Sequence, residues 1–407
     1  MNSPAPSAAP PEALPAPASK SSGRLASVDA YRGLAILLSM AKVLEFWRVH
    51  EARPERALWK FLAYHQTHVA WLGCSLNDLI QPSFSFLLGV AMALAGARRA
   101  SDVQTPWQRA FQVVRRALTL VLLGVFLRSL GAAHTRWVFT DTLSQLGLGY
   151  GLLYLLSRRS ARAQWAALAA ILVGYWLLFA LYPLPSTDFD WARAGTSKEQ
   201  MLPGFAAHWS LNTSAGWAFD TWFLNLFPWR GGLGTSSDGY VTLSFIPTLG
   251  TMILGLIAGG VLTSDRTPRD KANWLGIAGF AGLGAGWWIE AVGLCPIVKR
   301  LWTPSWVLFS GGWCFLFLAG FYLVMDVRKH RTWAFGLTVV GTNALAAYLI
   351  AHLFGDFIAE ALPRHFGRAW FTFAGGAYQQ VPLGAAVVLV EWLLLLWMYR
   401  KKIYLRI

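Results

Sequence analysis

The sequence predicts an all-α, polytopic integral membrane protein with about ten transmembrane helices and both termini cytoplasmic. Three observations carry that reading. Hydrophobic residues fill 55% of the 407 positions and charged residues only 14%, where soluble domains carry about a quarter charged. Apolar runs approaching the roughly 20 residues that a helix needs to cross a bilayer recur along the chain. Basic residues gather in short turns between those runs, the pattern that orients membrane proteins. The net charge of +15 is therefore read as topology and not as nucleic-acid binding.

Residues 1–22 are Pro, Ala and Ser with almost no charge. Such a stretch cannot bury enough apolar surface to order itself and is expected to be a disordered cytoplasmic tail. It lacks a basic region followed by an apolar core, so it is not read as a signal peptide. The remainder, 23–407, reads as one transmembrane domain, with spans expected at 30–47, 77–97, 112–130, 142–157, 164–183, 241–263, 273–293, 305–326, 335–355 and 382–399. The loops on one side, which include every tight basic turn, hold 21 Lys and Arg against 12 on the other. The richer side is cytoplasmic. Two long loops, about 48–76 and 184–240, then lie outside, and His68 with them. The second is crowded with Trp191, Trp209, Trp217, Trp222 and Trp229, which suits an interfacial belt or stacking on sugar rings. Cys74, Cys295 and Cys314 show no metal-ligand spacing and no metal is expected; a Cys74–Cys295 disulfide is left open.

The polar residues come in order. At the first span Ser27 is placed to cap the helix, with Asp29 in its first turn. Arg32 either anchors the cytoplasmic end or meets a phosphate at its mouth. Lys42 and Glu45, three residues apart, share a helix face, as an internal ion pair or as part of a substrate site. Ahead of the second span, Ser75-x-x-Asp78 has the form of a capping box. Pro82 lies beyond the first turn of that span and predicts a kink at Asp78, since its nitrogen cannot donate four residues back. His68, with His65 nearby, offers an imidazole that can take a proton from an amine or hydroxyl, or serve only structure. Arg128, Gln145, Glu290, Asn343, His352, Asp356 and Glu391 fall inside spans. They suit hydrogen bonds between helices or a polar tunnel.

Six ordered blocks between about residues 24 and 355 then resemble one family. The most distinctive is His68-x-x-Trp71-x-Gly73-x-x-x-x-Asp78-Leu79-x-x-Pro82, followed by Phe84-x-Phe86-x-x-Gly89. The others are Ser27-x-Asp29-x-x-Arg32-Gly33; Leu143-x-Gln145 with Gly147; Leu243-x-x-Ile246-Pro247-Thr248 with Leu254-Gly255 and Gly259; Pro296-Ile297-x-Lys299-x-Leu301-Trp302-Thr303-x-Ser305; and Gly341-x-Asn343-Ala344-x-Ala346-x-Tyr348. Together they resemble the heparan-alpha-glucosaminide N-acetyltransferase family of membrane acyltransferases. The resemblance implies transfer of an acetyl group from cytosolic acetyl-CoA, as co-substrate, to an amino sugar or glycan across the membrane. It implies His68 as the catalytic residue. The chemistry of the side chains then makes His68 a general base or an acyl carrier, with Asp78 expected to orient it or to assist the proton transfer. Arg32, Arg98, Arg99, Arg115, Arg116, Gln145 and Asn343 are the expected acetyl-CoA contacts, and Trp71, Lys42, Glu45, Lys299 and Trp302 the expected acceptor contacts. The chain departs from the family's pattern at Lys42, Leu72 and Gln81. Partners implied are acetyl-CoA, a glycan and the bilayer, with a homodimer left open and a bacterial inner membrane as the expected location. A transporter or flippase using the same polar tunnel, and an O-acetyltransferase of envelope polysaccharide, are the rival readings.

Overall fold

The computed structural model describes residues 25–98, 105–228, 238–373 and 375–405. The expected tail at 1–22 lies outside them. Among the described residues the chain is helical, and its one β-type contact is an antiparallel bridge between Leu72 and Val298.

The helices in chain order are α1 (Ala26–Met40), α2 (Phe46–Ala52), α3 (Ala57–Gln66), α4 (Ile80–Arg98), α5 (Pro106–Ser129), α6 (Thr142–Ser157), α7 (Ala161–Ala180), the single turn α8 (Trp191–Ala194), α9 (Ala215–Phe223), α10 (Phe245–Thr263), α11 (Pro268–Ala291), α12 (Pro304–Phe321), α13 (Phe335–Thr342), α14 (Ala344–Phe366), the single turn α15 (Ala369–Thr372) and α16 (Gln380–Arg400). Seven, built on α4, α5, α7, α10, α12, α14 and α16, are long and apolar enough to cross a membrane. The other three expected spans fall on α1 and α6, which have only 15 and 16 residues, and on α11, which carries Arg269, Asp270, Lys271 and Glu290.

Local chemistry sets the ends. Thr105 caps α5 in a reciprocal box with Gln108, Asp141 caps α6, and Thr267 and Thr303 cap α11 and α12 ahead of a proline at the first helical position. Three expectations are corrected. Ser27 does not cap α1: it lies inside the helix, and its backbone N–H donates to Asp326 at 3.3 Å, so a carboxylate from the π-helical stretch Tyr322–Val327 that follows α12 does the capping. Pro82 does not lie beyond the first turn of its helix. A separate 3₁₀ turn, Asn77–Leu79, carries Asp78, and Pro82 falls in the first turn of α4, where no N–H is needed. The expected span 335–355 is two helices broken at Asn343. The side-chain amide of Asn343 donates to Ile403 O at 3.0 Å and its oxygen accepts from Leu405 N at 3.0 Å, while Phe335 packs on Tyr399. α13 therefore packs along the C-terminal part of α16, from Trp392 to the segment after it, and of the two helices only α14 is long and apolar enough to cross a membrane.

The core lies around α10, most of whose residues are buried. A Cβ on Gly255 would stand 1.8 Å from Phe86 O, and one on Gly89 1.9 Å from Met252 O, so α4 and α10 touch backbone to backbone. Glycine is required there by the approach distance. That contact fixes α4, whose first residues follow Asp78. At 19 residues α4 rises about 28 Å, so its two ends define two faces. One holds His68; the other holds the basic end at Arg98.

Candidate active site

The His68 loop is organised by one buried carboxylate. Asp78 has no exposed surface, and its two oxygens do different work. Oδ2 accepts from Ser75 N at 3.0 Å, Ser75 Oγ at 2.9 Å and Val69 N at 3.3 Å, folding 69–78 back on itself. Ser75 Oγ in turn accepts from Asp78 N at 3.3 Å, so the expected capping box forms. Oδ1 lies 2.7 Å from His68 Nδ1 and 3.2 Å from Lys299 Nζ.

Lys299 reaches the site by main-chain pairing. Gly73 N donates to Ile297 O at 3.2 Å, next to the Leu72–Val298 bridge, which stitches the loop to 297–298. Gly73 has φ 102°, which only glycine adopts without strain. Segment 296–303 is rigid for its own reasons: Glu290 accepts from Ile297 N at 3.0 Å, and Thr303 Oγ1 accepts from Val298 N at 3.1 Å and donates to Pro296 O at 2.8 Å. Lys299 is 4% exposed, with its ammonium 3.0 Å from His68 Nδ1 and its charge over the Tyr240 ring at 5.9 Å. The Asn77 amide lies against the imidazole, 3.2 Å from Nδ1 and 3.4 Å from Nε2.

Three groups meet at Nδ1, and charge decides the tautomer. A proton on Nδ1 donates to the carboxylate in a short charge-assisted bond and leaves Lys299 donating to the same Asp78 oxygen. The alternative sets a bare Nδ1 against Asp78 Oδ1 at 2.7 Å, lone pair to lone pair. The assignment is thus Nδ1–H, with Nε2 unprotonated on a side chain that is 35% exposed. Burial first, and then the Lys299 ammonium, hold the His68 imidazolium below its ordinary value, against the pull of Asp78. Burial likewise holds the Lys299 ammonium below the usual lysine range, with Asp78 opposing it.

The remaining expected site residues divide. Trp71, in the same loop as His68, donates its indole N–H to Trp209 O at 3.0 Å. Lys42 is on the same side, within the electrostatic reach of Asp78, Lys299 and Arg128. The expected Lys42–Glu45 pair does not form. Glu45 has a left-handed backbone, φ 44°, after the 3₁₀ turn Ala41–Leu44, which ends the shared helix face, and it meets Arg48 at 2.6 Å instead. Trp302 is 2% exposed, packed on Trp306 and bonded to Thr251 Oγ1 at 3.1 Å, so it anchors the core beneath Lys299. Gln145 is fully buried, donating to Phe139 O at 2.8 Å and accepting from Thr248, which ties α6 to α10. Asn343 holds the C-terminal segment. Cys74 and Cys295 are both free thiols.

Arg32 and Arg116, far apart in sequence, line one cavity of about 500 Å³ with Phe84, Leu146, Tyr150 and Tyr348. It runs along α6 from Tyr150 to Thr142, about two turns or roughly 12 Å. Arg32 also pairs with Asp29 at 3.2 Å. Arg115, next to Arg116, is exposed on the other side of α5. Arg98 ends α4; its side chain and all of Arg99 lie outside the described residues. Sequence reasoning missed Asn77 and gave Lys299 to the acceptor; only the backbone pairing at 72–73 brings that lysine to the imidazole.

No known family profile matches the chain. The human heparan-alpha-glucosaminide N-acetyltransferase is 23% identical over an alignment of 426 positions that covers 94% of this chain and 60% of the human protein. The mouse protein of the same name is 23% identical over 427 positions, 95% of this chain and 61% of its own length. The chain thus spans about three fifths of the length of the curated relatives it matches. Over nearly all of its own length it is distantly similar to heparan-alpha-glucosaminide N-acetyltransferase.

Proposed function

We propose that the protein is a membrane acetyltransferase that carries the acetyl group of acetyl-CoA to an amine of a sugar or glycan on the His68 face. That face is the extracytoplasmic one, both termini are cytoplasmic, and the membrane is the bacterial inner membrane. The observation that carries the reading is the contact of His68 Nδ1 with buried Asp78 at 2.7 Å, backed by Lys299. A carboxylate that orients an imidazole and leaves Nε2 bare is the arrangement general-base catalysis requires. The distant similarity to two N-acetyltransferases supports the same chemistry.

His68 Nε2 takes a proton from the attacking amine as its nitrogen bonds to the thioester carbonyl carbon. The C–S bond then breaks, and the imidazolium returns the proton to the departing thiolate. Asp78 holds the ring and stabilises the imidazolium while it exists. Lys299 keeps Asp78 ionised, and by opposing the imidazolium it keeps His68 unprotonated near neutrality. The cavity holding Arg32 and Arg116 suits a long donor that enters from the basic face, since guanidinium groups meet phosphates. A hydroxyl acceptor would follow the same steps.

The test is incubation of the purified protein with radiolabelled acetyl-CoA and a panel of amino sugars, with His68→Ala alongside. Labelled sugar from the parent and none from the variant is expected. Equal labelling by both removes His68 from the reaction, and failure of acetyl-CoA to bind removes the enzyme reading in favour of transport.

A further inference from the structure

Two cations on the His68 face have no counter-charge. Lys42 sits in the 3₁₀ turn Ala41–Leu44 and Arg128 in the last turn of α5, and both are exposed. Among the described residues neither pairs with a carboxylate nor donates a hydrogen bond. Each lies within the electrostatic reach of the other, and both act on His352 of α14. Lys42 also reaches Asp78, Lys299 and His68 itself. Arg128 reaches Tyr240, whose ring stands 5.9 Å from the Lys299 ammonium. Lys42, Lys299, Tyr240 and Arg128 thus close a circuit around one volume beside the imidazole, 3.0 Å of which separates Lys299 from Nδ1. The backbone that presents Lys42 is clamped. Gln66 Nε2 donates to Ala41 O at 2.7 Å, Gln380 Nε2 donates to Val43 O at 3.1 Å, and a Cβ on Gly384 would stand 2.7 Å from Val43 O. Position 42 is also one at which the chain departs from the family's pattern, so its charge is particular to this chain.

Three cations gathered at the end of membrane-crossing helices are expensive unless anions meet them. The two nearby carboxylates are engaged. Asp78 serves His68, Lys299 and the Ser75 turn, and Asp141 accepts from Leu143 N and Ser144 N, the groups that open α6. Glu45 is turned to Arg48. The phosphates of a donor do not fill the role either. Arg116, on the wall of the 500 Å³ cavity, lies twelve residues back along α5, about 18 Å from Arg128 along the axis. What remains is an anion that arrives on the His68 face, the face assigned to the acceptor. Arg128 offers it a planar fork of donors and Lys42 a point charge. We propose that Lys42 and Arg128 hold an acid group of the acceptor, which is therefore an anionic amino sugar, bound through a carboxylate or a phosphate ester. On the acetyltransferase reading, on which only the fate of the amine rests, the acid group seats the sugar with its amine at His68 Nε2.

The experiment is calorimetric titration of the purified protein, without acyl donor, with glucosamine, glucosamine 6-phosphate and muramic acid (an amino sugar carrying a carboxylate). Lys42→Gln, Arg128→Gln and the double variant are compared with Arg128→Lys and with Arg53→Gln, which alters an exposed position between α2 and α3. An unchanged size-exclusion profile certifies folding. The expected result is that at least one acidic sugar binds about tenfold or more tighter than glucosamine. Each glutamine should cut that preference several-fold and the double variant should abolish it. Arg128→Lys should be intermediate, Arg53→Gln should have no effect, and raised salt should narrow the preference. The tighter of the two acidic sugars names the acid group. Failure of both to bind tighter than glucosamine, or a preference that survives the double variant, overturns the proposal while leaving acetyl transfer to be judged by the labelling test. Binding that depends on Lys42 and Arg128, without labelled product from acetyl-CoA, upholds the acid site and removes the acetyltransferase reading.

Discussion

Asp78 does two jobs with two oxygens, and each residue it touches fails differently when changed. Replacing His68 by Gln keeps a polar side chain of similar size but removes the base; transfer should fall about 10²- to 10⁴-fold with the fold retained, read as single-turnover acetyl transfer. Lys299 acts through the imidazole. Lys299→Met removes a positive charge 3.0 Å from Nδ1, so the imidazolium becomes easier to form and the His68 pKa rises. The acidic limb of the pH–rate profile should therefore move to higher pH, and an unmoved limb with a uniformly lower rate would make Lys299 merely structural. His68 and Asp78 were legible as a pair because both lie in one short polar stretch ahead of an apolar run. The part Lys299 plays was not, because its partner is 231 residues away and no local pattern reports a main-chain bridge between two loops.

At the scale of elements, the α4–α10 crossing is the structural support of the site. A methyl on Gly255 would overlap Phe86 O, a backbone atom with no rotamer to yield. Gly255→Ala is expected to destabilise the protein by about 1–3 kcal/mol or more, seen as a lower detergent-melting midpoint, and to shift α4 with the Asp78 turn. The long segment around α9 carries a different feature. Asp220 is 2% exposed; its Oδ2 accepts from Thr242 N at 2.9 Å while Oδ1 is buried without a partner. Burial raises its carboxyl to about 7 from an ordinary 3.8. The folded state therefore keeps a proton that the unfolded chain has released between those values. The associated stability is complete below about 4 and is lost as pH rises through about 7. Hydrogen exchange across 213–224, corrected for intrinsic rates, should be slower at pH 5 than at pH 8. Asp220→Asn, which keeps the acceptor for Thr242, should flatten that difference. Sequence periodicity had no access to either feature. A glycine reads the same whether its neighbour is lipid or backbone, and an aspartate in a Trp-rich loop reads as solvated.

For the whole molecule, sidedness is the property that links the cavity to the His68 cluster. If the face with His68 is external, a cysteine introduced at Glu55, an exposed position between α2 and α3, should react with a membrane-impermeant maleimide on intact cells. One introduced at Arg159, exposed between α6 and α7, should react only after permeabilisation. The reverse pattern would invert the proposed topology.

The sequence by itself determined that the chain is all-helical and membrane-spanning, where nearly all its long apolar helices run, and which short stretch holds the imidazole and its carboxylate. Composition, run length and capping residues are local quantities, so they survive without knowledge of the fold. Tertiary structure alone decided that the 335–355 run breaks at Asn343 and that Gln145 and Trp302 serve the core. It also decided that Arg116 turns inward while Arg115 turns out, and that Lys299 closes on His68. Each depends on what a residue meets across the fold, which is set by helices packing at glycines and by a two-residue bridge between loops that are distant in the chain.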